Sequence, residues 1–472
     1  MSFFDSEFSE EENFDIPSES IDEELKACKA ILESGYVYDS VDRIEELVQL
    51  CMDVDRYEDA LFLLDRLVNI FPYNSEYWLR KGIVLNGLFR FPESLLAFEQ
   101  SLSLNPNDPE ALMDKSATEE NLQLFDQAQE SLEKVLELEP ENDDALFSLG
   151  LLYQRRAKLD KAVTYFELLI SRDANYSEVY YELGFCYENL AQLDKALQSY
   201  DKFLELEPYN PNGYYNRGIV LIKLNRVEEG INSYDLALSI NEDFSNAWYN
   251  KGNALADTGK LNDAILCFKR ASEIDKDDET ALYNIASIYE ELEDVTNAVK
   301  YYSESIKLND QYFDAYLSRG FCYDALGKFQ LALKDFNKAI SLYQDSADAW
   351  QAKADLEYSL GQINESVFSY KEAARLQPDN HEVWFNLGET YFEIGEWLES
   401  LNSFNECLRI KPKDGDSLYY KAKVNFVLSR TQEAIDCLKI AFIIDPEIKS
   451  EFEKEHPEIK SSKLYKKLLG EV

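Results

Sequence analysis

An internal repeat constrains the fold of this chain more than any other feature. From residue 41 to residue 448 the same residue classes return every 34 positions without a gap, which makes twelve blocks. Forty residues precede these blocks and 24 follow them in the 472-residue sequence. A period of this length is typical of repeat architectures, in which each unit packs mainly on its neighbours.

The residues within one block predict two helices that approach each other closely. Position 24 is large in every block, as at Phe98 and Tyr200, and position 32 is Pro in seven blocks, where it ends the second helix. Position 20 is small in all twelve blocks. Small residues facing large ones allow close ridge-and-groove packing of two helices. Position 8 is small in eleven blocks: Gly82, Ser116, Gly150, Gly184, Gly218, Gly252, Ala286, Gly320, Ala354, Gly388 and Ala422.

This pattern resembles the tetratricopeptide repeat, which has the same period and whose signature is W-x2-L-G-x2-Y, A-x3-F and P. The resemblance covers residues 41–448. It implies an all-α fold, a right-handed α-solenoid superhelix of antiparallel helix pairs. It also implies a concave groove lined by positions 2, 5, 6, 9, 12 and 13 of the first helices.

Position 7 departs from the signature. The expected Leu is replaced by a basic residue in seven blocks, and we interpret this as a variant of the repeat and not as a site, because long stems can cover apolar surface. The seven residues are Lys81, Lys115, Arg217, Lys251, Arg319, Lys353 and Lys421.

The two ends of the chain differ from the repeats. Residues 1–25 contain ten acidic residues and no basic one, so we expect residues 1–20 to be a disordered solvating tail, with a short acidic-aromatic binding motif as the alternative. We expect a capping helix over 21–40 and another over 449–472, because repeat stacks need a terminal element with one polar face. The second cap is predicted from helically spaced apolar residues: Ile459, Leu464, Tyr465, Leu468 and Leu469.

The charge of the chain excludes several classes of partner. There are 47 Lys and Arg against 91 Asp and Glu, a formal charge of −44. We therefore expect neither nucleic acid nor an anionic membrane surface as a partner, since both require basic patches. No apolar run is long enough to cross a membrane, and the seven cysteines lack metal or redox spacing, so we expect a cytoplasmic protein with small buried thiols.

Tests for catalytic chemistry fail. The sequence has only two His and no P-loop, no GxGxxG after a strand, no HExxH and no GxSxG. The residues outside the repeats leave no room for a catalytic domain. We expect no enzyme activity, no cofactor and no metal.

Tyr-Asn pairs at positions 5 and 6 are the candidate ligand site. A carboxamide can donate to and accept from a peptide backbone, so asparagines that recur once per repeat would form a ladder for an extended ligand. This arrangement is similar to the asparagine ladder of the glycosyltransferase that adds N-acetylglucosamine to proteins, whereas the basic residues of the chaperone-binding clamp are absent from positions 2 and 5. The alternative is that the Tyr-Asn pair is common at positions 5 and 6 of this repeat family and has no role in binding. The candidate residues are Tyr181, Tyr215, Asn216, Tyr249, Asn250, Asn253, Tyr283, Asn284, Phe385, Asn386, Glu389 and Glu393.

The predicted groove is more acidic than the chain as a whole. Its 72 positions hold 23 acidic residues and four basic ones. We therefore predict a protein or peptide partner that carries Lys or Arg, although an acidic chain could produce the same excess everywhere. The sequence thus predicts a non-catalytic scaffold for protein–protein interaction. The alternative is a structural protein whose repeats self-assemble, which sedimentation would reveal.

Overall fold

The computed structural model describes residues 18–34 and 40–455. Within these ranges the chain forms 26 α-helices and no β-strand. In chain order they are α1 (Ser18–Ser34), α2 (Val41–Asp53), α3 (Tyr57–Ile70), α4 (Ser75–Gly87), α5 (Phe91–Leu104), α6 (Pro109–Asn121), α7 (Phe125–Leu138), α8 (Asp143–Arg155), α9 (Leu159–Arg172), α10 (Ser177–Asn189), α11 (Leu193–Leu206), α12 (Pro211–Lys223), α13 (Val227–Ile240), α14 (Ser245–Asp257), α15 (Leu261–Ile274), α16 (Glu279–Glu291), α17 (Val295–Leu308), α18 (Phe313–Ala325), α19 (Phe329–Leu342), α20 (Ala347–Ser359), α21 (Ile363–Leu376), α22 (His381–Glu393), α23 (Trp397–Ile410), α24 (Gly415–Val427), α25 (Thr431–Ile444) and α26 (Pro446–Glu455).

The helices pack in sequence order within two compact units, residues 1–240 and 241–472. In each unit a first helix packs against the second helix that follows it. The second helix then packs against the first helix of the next repeat, as α4 and α5 do with α6. Each unit is therefore an all-α solenoid built from helix pairs, as the repeat predicts.

The helix bounds follow the 34-residue period of the sequence. From α2 to α25, each first helix runs from position 1 to position 13 of its block, and each second helix runs from position 17 to position 30. Polar residues at position 34 explain many of the starts, because their side chains accept hydrogen bonds from free backbone N–H groups of the first turn. Asn142, for example, accepts from the N–H of Ala145 at 2.8 Å.

The turn inside each pair contains one residue in the left-handed region. Position 15 has a φ between +54° and +80° in all twelve blocks, and it is Gly in only four of them, such as Gly259. The next residue donates its N–H back into the first helix, as Gln192 does to the carbonyl of Tyr187 at 2.8 Å. This closes the helix with a Schellman-type bond. A backbone requirement, and not a side-chain one, thus fixes the angle of the turn.

Small residues at position 8 do face the large residues at position 24. A Cβ atom added to Gly150 would lie 2.3 Å from Cε1 of Phe166, and one added to Gly184 would lie 2.6 Å from Cε1 of Tyr200. Phe166 and Tyr200 are completely buried. The backbone of the first helix therefore rests directly on the aromatic ring of the second.

Helices also lie where the terminal caps are predicted. Ile21, Leu25 and Cys28 of α1 are buried against the first repeat, and Ile448 and Phe452 of α26 are buried against the last. The predicted tail before residue 18 and the cap residues from Ile459 onward lie outside the described residues. The division into tail, caps and repeats stays a prediction.

All seven cysteines are buried, and none of them forms a disulfide bond. None of the described helices has the length and apolar character needed to cross a bilayer. No group of three His, Cys, Asp or Glu residues suited to a metal ion occurs in the part of the chain that the structure describes.

Candidate ligand-binding surface

In each of the two units, positions 2, 5, 6, 9, 12 and 13 lie on the first helices, and we call these positions the first-helix surface. Polar contacts join neighbouring repeats across it. In the unit of residues 1–240, Nδ2 of Asn216 donates to Oη of Tyr181 at 2.8 Å. In the other unit, Nδ2 of Asn284 donates to Oη of Tyr249 at 3.0 Å. In both cases position 6 of one repeat contacts position 5 of the repeat before it.

The aromatic rings at position 5 belong largely to the packing between helices. The ring of Tyr181 lies 5.2 Å from that of Phe203, centroid to centroid, in an edge-on arrangement. Burial raises the pKa of the Tyr181 hydroxyl. Every ring at a candidate site contacts the large residue at position 24 of its own repeat, at centroid distances of 5.9 Å for Tyr181, 6.0 Å for Tyr215, 5.4 Å for Tyr249, 5.4 Å for Tyr283 and 5.7 Å for Phe385.

The remaining candidate residues form smaller groups. Oδ1 of Asn253 lies 3.5 Å from Nδ2 of Asn284, which joins the Tyr249 group. Nδ2 of Asn386 donates to Oδ1 of Asp355 at 3.3 Å. Asn250 and Glu389 are half-buried on α14 and α22. The asparagines therefore already use part of their hydrogen-bonding capacity within the protein.

Glu393 is the exposed member of the predicted site. Its carboxylate accepts a hydrogen bond from Oη of Tyr358, one repeat earlier, at 2.5 Å. This contact joins position 13 of one repeat to position 12 of the previous one. Two ion pairs use the same positions, Arg155 with Glu120 at 2.6 Å and Lys223 with Glu188 at 2.8 Å.

All four basic residues of the first-helix surface contact neighbouring side chains. Arg155 and Lys223 form the ion pairs just described, and Arg80 pairs with Glu76 at 2.7 Å. The ammonium of Lys423 lies 4.3 Å from the ring centroid of Tyr419. The acidic residues outnumber these bases, so the surface keeps a net negative charge.

Some of the surface carboxylates are buried enough to resist ionisation. Burial, together with the nearby carboxylates of Glu110 and Asp108, raises the pKa of Asp114 to about 6. Burial also raises the pKa of Glu182, although Gln154 donates a hydrogen bond to it at 2.6 Å. A cation brought by a ligand would restore their charged form.

Sequence reasoning missed two exposed aromatic side chains on this surface. Phe185 and Phe321 occupy position 9 and are 42% and 44% exposed, whereas the candidate rings at position 5 are half-buried. Phe185 follows Tyr181 by one helical turn, so it lies beside the contact between Tyr181 and Asn216. A large apolar residue at position 9 is the signal that would have identified them.

Matches to family models agree with the repeat frame. Models described as tetratricopeptide repeat or TPR repeat match residues 122–183, 177–210, 211–244, 252–293, 277–352, 354–395 and 381–414. The chain belongs to the tetratricopeptide repeat family. Tetratricopeptide repeat proteins are in general scaffolds for protein interaction and typically lack catalytic activity.

Solved structures of other proteins resemble parts of the chain. One is YrrB, described as a TPR protein with an unusual peptide-binding site, at 21% identity over 39% of this chain and 95% of that one, with a TM-score of 0.35. MamA shares 23% identity over 36% and 94%, with a TM-score of 0.34. The C-terminal part of a TPR repeat-containing protein from Cytophaga hutchinsonii shares 16% identity over 51% and 99%, with a TM-score of 0.47. No curated protein matches the chain in sequence.

Proposed function

We propose that this chain is a non-catalytic scaffold that binds a basic peptide or protein segment on its first-helix surface. The observation that carries the proposal is the charge of that surface: 23 acidic residues against four basic ones, all four of which already contact neighbouring side chains. Lysine or arginine side chains of a partner could pair with these carboxylates, because the four basic residues of the surface are already engaged with their neighbours.

The contacts between repeats support an extended ligand. Asn216 keeps its carbonyl oxygen and one N–H for a peptide backbone after donating to Tyr181, because a carboxamide has two donors and one acceptor oxygen. The exposed ring of Phe185, one turn away, supplies an apolar contact. The corresponding group in the other unit is Tyr249, Asn253 and Asn284.

The cytoplasm is the compartment that we propose. Seven buried thiols without a disulfide support a reducing environment.

Selection from a displayed library of random peptides tests this proposal. We expect the peptides captured by the full chain to be rich in Lys and Arg, and their binding to weaken as salt rises, because exposed charges are screened over about 8 Å at physiological ionic strength. Acidic or neutral selected peptides, or binding that strengthens with salt, would contradict it.

A matched pair of variants locates the binding. Glu110→Gln with Asp114→Asn removes two charges from the first-helix surface and should weaken peptide binding. Glu99→Gln with Glu130→Gln removes two exposed charges from the second helices and should leave it unchanged. Equal effects of the two pairs would mean that only the overall charge of the protein matters. A self-associating scaffold would instead show a sedimentation coefficient that rises with protein concentration.

A further inference from the structure

A cavity lies between two second helices of the unit of residues 241–472, away from the first-helix surface. Its volume is about 720 Å³, and it lies between α21 and α23 with residues of α22 as its floor. The apolar part of the lining is Ala374, Trp384, Leu387 and Tyr391. Lys371 lies on one wall and Glu399 on the other. The volume is in the range of about 300–1,000 Å³ that small-ligand sites usually have.

The departure from the repeat signature at position 7 explains why the cavity is here. Trp occupies position 4 in four repeats, and in three of them position 7 is Lys. Each of these lysines places its ammonium 5.2 Å from the centroid of its Trp ring, in the pairs Lys81 with Trp78, Lys251 with Trp248 and Lys353 with Trp350. In the fourth repeat, Leu387 stands at position 7. It is shorter than lysine and carries no charge, so the ring of Trp384 stays open to the cavity.

The basic residues at position 7 do more than cover apolar surface. Lys81 pairs with Asp65 of the preceding second helix at 2.7 Å, and Arg319 pairs with the buried Asp335 at 2.7 Å. They fill the groove between successive second helices and neutralise a carboxylate there. Leu387 does neither, so this groove keeps its volume.

A buried hydroxyl at the cavity has no acceptor for its proton. Tyr391 is only 4% exposed, and the group that approaches its Oη is the ammonium of Lys371, which can only donate to it. The equivalent Tyr187 donates to Oε1 of Glu167 at 2.5 Å. Lys371 replaces that glutamate at the same repeat position, 5.4 Å from the Tyr391 ring centroid, and an ammonium cannot accept the phenolic proton. Leaving a buried donor without an acceptor is costly, so a ligand that supplies one is favoured.

We propose that this cavity binds a peptide segment of a protein partner that inserts one aromatic side chain against Trp384 and Leu387. The main-chain carbonyl beside that side chain would accept from Lys371 and Tyr391 once the lysine stem moves aside. The main-chain N–H would donate to Glu399. Opposite charges on the two walls suit the neutral but polar peptide unit better than a ligand of one charge. This site is separate from the first-helix surface and needs no basic partner.

Fluorine NMR of the full chain labelled with 5-fluorotryptophan tests the site. The probe is N-acetyl-phenylalanine amide, N-acetyl-glycine amide is its control without the aromatic ring, and Trp384→Phe assigns the resonance. We expect the phenylalanine probe to shift the Trp384 resonance saturably, with Trp78, Trp248 and Trp350 as unshifted internal controls. No saturable shift, or the same shift at all four, would overturn the proposal.

Closing the cavity supplies the matched variant. Leu387→Lys with Lys371→Asp recreates the pair that Lys81 and Asp65 form, and we expect at least a tenfold loss of probe affinity with the fold retained by circular dichroism. Lys371→Glu alone gives Tyr391 the acceptor that Tyr187 has, and it should also weaken the probe if the double variant does not fold. Parental affinity in the folded variants would overturn the proposal.

The proposals for the cavity and for the first-helix surface can be tested independently of each other. Probe binding at the cavity should be nearly independent of salt and unchanged by Glu110→Gln with Asp114→Asn, whereas binding at the first-helix surface should respond to both. Loss of probe binding in that first-helix variant would contradict the cavity as the site.

Discussion

Nδ2 of Asn216 donates a 2.8 Å hydrogen bond to the hydroxyl oxygen of Tyr181, which stands one repeat earlier. The hydroxyl of Tyr181 therefore links two neighbouring repeats, while the ring of the same residue packs between the helices. The same contact between Asn284 and Tyr249 in the other unit shows that positions 5 and 6 act as a pair. A residue predicted to contact a ligand thus has a structural partner as well.

Tyr181→Phe should lower the free energy of unfolding by about 0.5–1.5 kcal/mol, the usual net value of one hydrogen bond. Urea denaturation of Tyr181→Phe, Asn216→Ala and the double variant measures the coupling between the two residues. Tyr209→Phe is the control, because that side chain is 82% exposed. A coupling energy of zero would show that the contact does not join the repeats in solution.

Gly184→Leu and Gly252→Leu should both destabilise the chain. An added Cβ would lie 2.6 Å from the Tyr200 ring in the first case and 2.9 Å from the Phe268 ring in the second, so both side chains overpack the helix contact. Overpacking typically costs about 1–3 kcal/mol. Thermal melts of the two variants check this, and melting temperatures equal to that of the parent would contradict the packing at position 8.

The sequence predicts what the repeat period controls and little of what long side chains do. Helix starts such as Ser177 follow from the frame, because small and large residues recur at fixed positions. The ion pair of Arg319 with Asp335 could not be predicted, since the stem has many rotamers and several carboxylates are within reach. Phe185 was not among the predicted site residues, because the prediction followed the aromatic and Asn residues at positions 5 and 6. The exposure of the Phe185 ring depends on how the neighbouring helices pack.

The left-handed backbone at position 15 of each repeat could not be predicted from the sequence either. Gly is the residue type that indicates a positive φ, but position 15 also holds other residues: Ala191 has φ +56° and Gly259 has φ +75°. Ala191→Gly should stabilise the chain by less than about 1 kcal/mol, because the strain of a left-handed Cβ slightly exceeds the entropy that Gly loses. Gly259→Ala is the reverse experiment and should destabilise it by about 1 kcal/mol, since an added Cβ contacts nothing within 4 Å and only the backbone matters. Changes of the same sign in the two variants, measured by urea denaturation, would contradict this account.

Asp114→Asn should change how stability depends on pH. Burial, together with the carboxylates of Glu110 and Asp108, raises the pKa of Asp114 from its ordinary 3.8 to about 6. The folded state therefore holds a proton that the unfolded state releases, so this group makes stability fall as pH rises from about 4 to about 6, and its full cost remains above that window. The variant cannot ionise, so it should be more stable than the parent by about 1–3 kcal/mol at pH 7.5 and should lose most of that advantage near pH 4.

Glu130→Gln removes an exposed charge from a second helix and controls for the change in net charge. Urea denaturation at both pH values measures the difference, and a pH-independent gain, or a gain equal to that of Glu130→Gln, would show that burial of Asp114 does not oppose its ionisation.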